Sequence, residues 1–299
     1  FCLTQRLTSR ECLLALRLPF VRFSIMIFFP EACDFICDNK KDIFKFAEPI
    51  VGGATVKKYR ELAVKHNVWL SMGGLHEKNE NDPTKVFNTH IIINNSGDIV
   101  EQYRKLHLFD VEIPERNLRL KESDFCSGGR HVVAPVETPV GRIGMAICYD
   151  MRFPELSTIL TTLHAEILTY PSAFTQATGE AHWHTLLRAR AIENQCYVVA
   201  AAQVGSHNTK RRSFGHALCC DPWGRVLADC GDAVGYCVAE LDPLVLSSVR
   251  RDMPVLRHRR SSIERERYTA GRIHFYLHLP FRYRNFNHCH PANLLLWGQ

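Results

Sequence analysis

The sequence predicts an α/β protein of covered sheets, and three observations carry that prediction. Short apolar runs alternate with helix-length amphipathic runs along most of the 299 residues. The runs MAIC, EILTY and YVVAAA are apolar at consecutive positions, as strands are when both faces are covered. No internal repeat interrupts the pattern. With 46% hydrophobic and 23% charged residues, disorder, collagen and coiled coil are excluded. A core of this size needs no disulfide or metal staple.

The elements follow in chain order. Phe23–Phe29 (FSIMIFF) reads as a buried strand ending at Pro30–Glu31. Lys57–Asn67 carries Tyr59, Leu62 and Ala63 at helical spacing, and Val68–Leu75 follows as a strand. Val86–Lys105 reads as a hairpin about the turn from Asn94 to Asp98, whose Asn, Ser and Gly residues favour tight reversal. A second hairpin closes through Thr138–Gly141 into RIGMAIC. Helix Phe153–Ala165, strand Glu166–Tyr170, helix Ala181–Asn194 and strand Cys196–Gln203 then alternate, as layered α/β proteins do. Phe214–Asp221, Arg225–Asp229 and Tyr236–Leu241 close the sheets around the Asp221-Pro-Trp-Gly224 turn. Past Arg260 the period decays. We therefore expect one domain over residues 1–260, atypical in 1–27, and a poorly packed basic tail over 261–299.

The net charge of +6 belongs to that end of the chain. Residues 250–299 hold ten Arg, no Lys and three acids, leaving 27 basic and 28 acidic residues before them. A tail-only excess does not predict a nucleic-acid partner. The apolar stretch from Cys12 to Phe29 is broken by Arg17, Pro19 and Arg22, so neither a spanning helix nor a signal peptide is expected. Twelve scattered Cys without a CxxC pair point to reduced thiols and the cytoplasm, with the mitochondrion as the other compartment.

Chemistry concentrates at three sheet ends. In Gly144-Met-Ala-Ile-Cys-Tyr-Asp-Met-Arg-Phe-Pro-Glu155 a buried strand ends at Cys148, and a helix starts near Pro154. A thiol on such a bend is presented as on a nucleophile elbow, with the next backbone N–H groups free for an oxyanion. A lone Cys there would read as core. Glu31 ends the Phe23–Phe29 strand, however, and Lys105 ends the hairpin in YRKLHLFD, giving a Glu–Lys–Cys set. His182-Trp-His184 and His288-Cys-His290 lack zinc-ligand spacing. Gly52–Gly53 and Gly73–Gly74 lack a phosphate-loop pattern. No metal site is expected.

The segments FFPEACDF, YRKLHLFD and GMAICYDMRFPE resemble those of the nitrilase (carbon–nitrogen hydrolase) superfamily. HLFDVEIP, AEILTYPSAFT, AHWHTLLRARAIENQCYVVAAAQVGSHNTKR and the DPWG turn are similar to its Nit branch, the deaminated glutathione amidases, and to the Nit portion of NitFhit fusions. The resemblance covers roughly Phe28 to Arg260. It implies an α-β-β-α sandwich, here with a shortened N-terminal strand and helix, and no complete Fhit domain. It further implies a Glu31–Lys105–Cys148 triad acting without cofactor, with Tyr149 N–H in the oxyanion hole. Glu112 would be a second glutamate positioning Lys105, and Phe174, Thr175 and His182 would lie at the substrate pocket. Arg152 and Glu155 are expected to form an ion pair. The expected activity is thiol hydrolysis of a small linear amide, deaminated glutathione, releasing ammonia or an amine-type leaving group. An ω-amidase on 2-oxoglutaramate or 2-oxosuccinamate and a catalytically impaired binding protein are the alternatives. The expected partners are the small amide and further copies of the chain, in a dimer or larger assembly, with no nucleic acid or membrane.

Overall fold

The computed structural model describes residues 2–5, 25–116, 118–209 and 211–260, and the fold is built in the unit that ends at Leu256. In chain order, β1 (Cys2–Gln5) and β2 (Met26–Phe29) precede helices α1 (Lys40–Phe46) and α2 (Ala54–His66). Strands β3 (Trp69–Lys78), β4 (Val86–Ile93), β5 (Ile99–Arg104), β6 (Asp110–Ile113), β7 (Leu118–Lys121) and β8 (Ile143–Met145) follow. A 3₁₀ turn over Cys148–Arg152 leads into α3 (Pro154–Thr162), β9 (Ile167–Thr169), α4 (Gln176–Asn194) and β10 (Tyr197–Ala200). The remainder is β11 (Val204–Ser206), β12 (Arg212–Phe214), β13 (Leu218–Cys220), β14 (Val226–Asp229), β15 (Gly235–Val238), α5 (Pro243–Asp252) and a single helical turn, α6 (Val255–His258).

Two sheets face each other. The first has the order β15-β1-β2-β3-β4-β5 and the second β14-β13-β10-β9-β8. Each is built on three parallel strands, β1-β2-β3 and β8-β9-β10. Antiparallel strands extend both sheets. Strand β2 shows why the apolar runs are continuous. Met26 and Phe28 join the core between the sheets with Ile143, Met145 and Val198. Ile27 and Phe29 pack instead with Val56, Tyr59 and Ala63 of α2, since successive side chains point to opposite faces. On the far side of the second sheet, Leu156 and Leu160 of α3 and Trp183, Leu187 and Ala191 of α4 complete the core. The layers are therefore α-β-β-α.

Helix ends follow local chemistry. Asn67, in the left-handed region at φ 52°, closes α2 with its N–H on the carbonyls of Ala63 and Val64, and Pro154 opens α3 in its first turn, where its missing N–H costs nothing. Four expectations change. Helix α4 begins at Gln176 rather than Ala181. The expected strand Phe214–Asp221 is split, because Gly215 and His216 both take positive φ. The hairpin through Thr138–Gly141 reduces to a bridge pairing Val136 with Ile143. Helices α1 and α5 and the β6–β7 hairpin were not expected. At the N-terminus, β1 pairs parallel to β2; the expected shortened helix after it and the tail over 261–299 lie outside the described residues. Among the described residues no helix is long and apolar enough to cross a membrane.

Candidate active site

Glu31, Lys105 and Cys148 meet where the two sheets approach. Glu31 leaves β2 in a turn whose next residue, Ala32, has φ 54°. Its backbone carbonyl accepts from Gln203 Nε2 at 2.9 Å. Its carboxylate is buried: Oε1 accepts from Lys105 Nζ at 2.9 Å and from Asn88 Nδ2 at 2.8 Å, while Oε2 accepts the Ala173 N–H at 2.9 Å. Lys105 follows β5, fixed by backbone bonds to Asn88 and Gly129. Its side chain is 2% exposed, and it also donates to Glu122 Oε2 at 2.8 Å.

Cys148 sits on the elbow. At φ 45° it is in the left-handed region, which costs a non-glycine residue of order 1–2 kcal/mol and holds only where the surroundings enforce it. Asp150 enforces it. Its fully buried carboxylate accepts from the Ile147 N–H at 2.9 Å, the Tyr103 hydroxyl at 2.7 Å, and the His107 N–H and Nδ1 at 3.0 and 2.7 Å. The Cys148 N–H donates to Pro171 O at 3.0 Å. The Tyr149 N–H has no acceptor among the described residues and remains available to an incoming oxygen.

Glycine makes this approach possible. A Cβ on Gly73 would stand 2.0 Å from Pro171 Cβ, and one on Gly74, at φ 64°, would stand 2.8 Å from both Asn88 Oδ1 and Glu31 Cγ. The β3–β4 register shifts at this pair, so a bulge lets β3 pass the turn that receives Cys148. The pair serves close contact rather than phosphate binding.

The electrostatics separate the three groups. Burial pushes the Glu31 carboxyl up, but the Lys105 charge and hydrogen bonds from Lys105, Asn88 and Cys148 outweigh it and hold Glu31 below the usual carboxylate range. Burial alone would lower Lys105, yet Glu122, Glu31 and Cys148 raise it well above its ordinary value. The Cys148 thiol is pushed up by burial and by the Glu31 charge, against the opposing pull of Lys105. At neutral pH the site therefore holds a carboxylate, an ammonium and a neutral thiol. A base, a proton donor and a cation are grouped closely enough to shift one another's charge.

Other expected residues are placed variously. Phe174, next to Ala173, is buried edge-on against Trp183, with the Arg152 guanidinium 5.4 Å from its ring centroid. Thr175 precedes α4, its hydroxyl on Thr178. His182 is exposed and hydrogen-bonded to Arg152 at 3.2 Å, where an ion pair of Arg152 with Glu155 was expected. Glu112 requires correction. It lies exposed on the β6–β7 hairpin, paired with Lys121 at 2.7 Å, and does not hold Lys105. Glu122 holds it instead, because the hairpin folds back and the Phe109 N–H donates to Glu122 Oε2 at 2.8 Å. Sequence reasoning also missed Asn88, which donates to both Glu31 and Glu122, and Asp150. Two residues after Cys148, Asp150 had a sequence signal in its position at the elbow; Asn88, inside a strand, had none.

The sequence profile of the carbon–nitrogen hydrolase family matches residues 14–251. The nitrilase and fragile histidine triad fusion protein NitFhit of Caenorhabditis elegans is 52% identical over 80% of this chain and 54% of its own length. Deaminated glutathione amidase of Bos taurus is 49% identical over 80% of this chain and 73% of its own. The chain thus spans about half of the worm fusion protein. The crystal structure of C. elegans NitFhit superposes with a TM-score of 0.82 at 47% identity, covering 88% of this chain and 65% of that one. Saccharomyces cerevisiae Nit3, a nitrilase superfamily member, superposes with a TM-score of 0.75 at 28% identity, covering 85% and 93%.

Proposed function

The chain belongs to the carbon–nitrogen hydrolase family, and from that premise we propose that it is a thiol amidase with Cys148 as nucleophile, Glu31 as general base and acid, and Lys105 as electrostatic catalyst. The observation that carries this reading is the cluster itself: Lys105 Nζ 2.9 Å from Glu31 Oε1, with the Cys148 thiol on a strained elbow where it feels the charges of both. The neutral thiol loses its proton to Glu31 as sulfur attacks the amide carbon. The carbonyl π electrons move to oxygen, and the oxyanion is met by the Lys105 ammonium and the Tyr149 N–H. Collapse expels the amide nitrogen, which takes the proton from Glu31 and leaves as ammonia. The thioester is then attacked by water, which gives one proton to Glu31. That proton returns to sulfur, and the free acid departs. Glu122 and Asn88 hold Lys105 and Glu31 in place throughout.

The substrate in this reading is deaminated glutathione, for which the relatives from cattle and human are named. Phe174, Thr175, His182 and Arg152 border its pocket. The active form is a homodimer in the cytoplasm, where the described cysteines stay free thiols.

Ammonia release by the purified chain tests the reading. Cys148→Ala should abolish it while Cys37→Ala leaves it unchanged, and equal rates in wild type and Cys148→Ala would remove the thioester path. A kcat/KM for deaminated glutathione above that for 2-oxoglutaramate supports the substrate; the reverse order would replace it.

A further inference from the structure

We propose that His184, His216 and Asp229 form a binding site for a divalent transition-metal ion, zinc by their chemistry, away from the Glu31–Lys105–Cys148 cluster. The three come from separate elements. His184 lies on α4, His216 in the break between β12 and β13, and Asp229 at the end of β14. Their ligand atoms all lie within 4.8 Å of one another. His184 Nε2 is 2.8 Å from Asp229 Oδ2, and His216 Nδ1 is 3.0 Å from Oδ1 and 3.1 Å from Oδ2.

Two imidazoles and one carboxylate are a borderline-soft donor set, suited to zinc and poor for calcium or magnesium, which take oxygen. Bonds of about 2.0–2.1 Å in a tetrahedron place ligand atoms about 3.4 Å apart, so the present spacing needs only small side-chain shifts. The side chains are 38%, 25% and 27% exposed for His184, His216 and Asp229, which admits the ion and leaves a fourth position to water.

The supports are already in place. The Gly231 N–H holds Asp229 Oδ1 at 2.8 Å. Phe214 stacks on His216 with centroids 4.5 Å apart, and Trp183 Nε1 donates to His216 O at 2.8 Å. His216 itself is held at φ 57°, a conformation that a non-glycine residue keeps only under constraint. Metal binding requires the Asp229-facing nitrogen of each imidazole to be unprotonated, its lone pair going to the ion. The bound ion would tie α4 to β13 and β14 and replace two hydrogen bonds by three coordinate bonds. It takes no part in amide hydrolysis. The sequence concealed the site because its ligands are not at the short spacings of zinc motifs.

Calorimetric titration of ZnCl2 into the chelator-treated full chain tests the proposal, with Co2+ as a spectroscopic substitute. The expected result is one ion per chain and a tetrahedral visible cobalt spectrum without a sulfur-to-metal charge-transfer band. His184→Ala and the near-isosteric Asp229→Asn should each weaken zinc binding at least tenfold while leaving the rate of ammonia release unchanged. Absence of uptake at submillimolar zinc would overturn the site. So would undiminished binding by the His184→Ala/Asp229→Asn double variant, or a cobalt spectrum dominated by sulfur, which would assign the metal to cysteines.

Discussion

Lys105 faces two carboxylates, Glu31 and Glu122, so the buried cluster carries one net negative charge before reaction. When Glu31 takes the thiol proton, that charge passes to the oxyanion, and the same ammonium faces it. The net charge of the site does not change, and little reorganisation is needed, which is where fixed charges gain most over water. Lys105→Met should therefore lower kcat by about 10²–10³, the scale of losing one oxyanion donor. Lys105→Arg should not rescue, because a planar fork cannot occupy the place of a compact ammonium between Glu31 and Glu122; full activity in the Arg variant would contradict the role. The pH dependence has a definite sign. Glu31 is depressed below its ordinary 4.5, so its stabilisation is complete above 4.5 and is lost as pH falls through the folded value. Lys105 is raised above its ordinary 10.5, so its contribution is complete below 10.5 and is lost as pH rises through the folded value. The acid limb of kcat/KM should accordingly have its midpoint below pH 4.5; a midpoint above that would assign the base to another group.

At the scale of elements, the site depends on how closely β3 passes the Pro171 turn. Gly73→Ala would put a methyl 2.0 Å from Pro171 Cβ and 2.7 Å from Phe29 O. Such overpacking costs about 1–3 kcal/mol, or roughly 2–4 °C per kcal/mol in Tm for a domain of this order of size. Because Pro171 O also receives the Cys148 N–H, kcat should fall with Tm. Gly235→Ala is the control, since nothing stands closer than 4.0 Å to its added methyl; equal melting of the two variants would dismiss the close-packing role. The strands behind Glu31 and Cys148 were legible in the sequence because both faces are covered, which writes a continuous apolar run, whereas β5 behind Lys105 is partly exposed and was legible from the turn at Asn94–Asp98. Helix α1 and the β6–β7 hairpin were not. Lys40–Phe46 is short, with Ile43 alone buried among its described side chains, and Asp110–Ile113 and Leu118–Lys121 alternate polar and apolar residues only over four positions each, the lower limit of a strand signal. The family resemblance pointed to Glu112 as the lysine partner, but the backbone doubles back in this hairpin and brings Glu122 to Lys105 instead. Glu31, Lys105 and Cys148 were legible by another route, as strand ends with reactive groups.

For the whole molecule, the remaining question is what covers α3. Its apolar stripe divides: Leu156 and Leu160 are buried in the core, whereas Ile159 is 44% and Leu163 46% exposed. Ile192 of α4 and Trp223 in the turn before β14 are also bare. The turn is held against α4, since a Cβ on Gly224 would meet Ile192 at 2.6 Å. The face of α3 carries threonines rather than charges, with Glu155 its single ionisable residue, and a helix turned to solvent usually carries a charged outer face. Full burial of a Leu or Ile side chain is worth about 1.5–3 kcal/mol, so Ile159 and Leu163 would contribute from both copies to a twofold pairing. An isologous contact sets α3 against its symmetry mate. Because α3 starts directly after the Cys148–Arg152 turn, that contact would steady the nucleophile elbow. The double variant Leu163→Asp/Thr158→Lys puts two charges into an otherwise apolar contact, where their desolvation is costly, so it should dissociate the dimer and lower kcat together. Light scattering and ammonia release measured on the same samples decide it: a wild-type chain that is monomeric and fully active at micromolar concentration would sink the dimer.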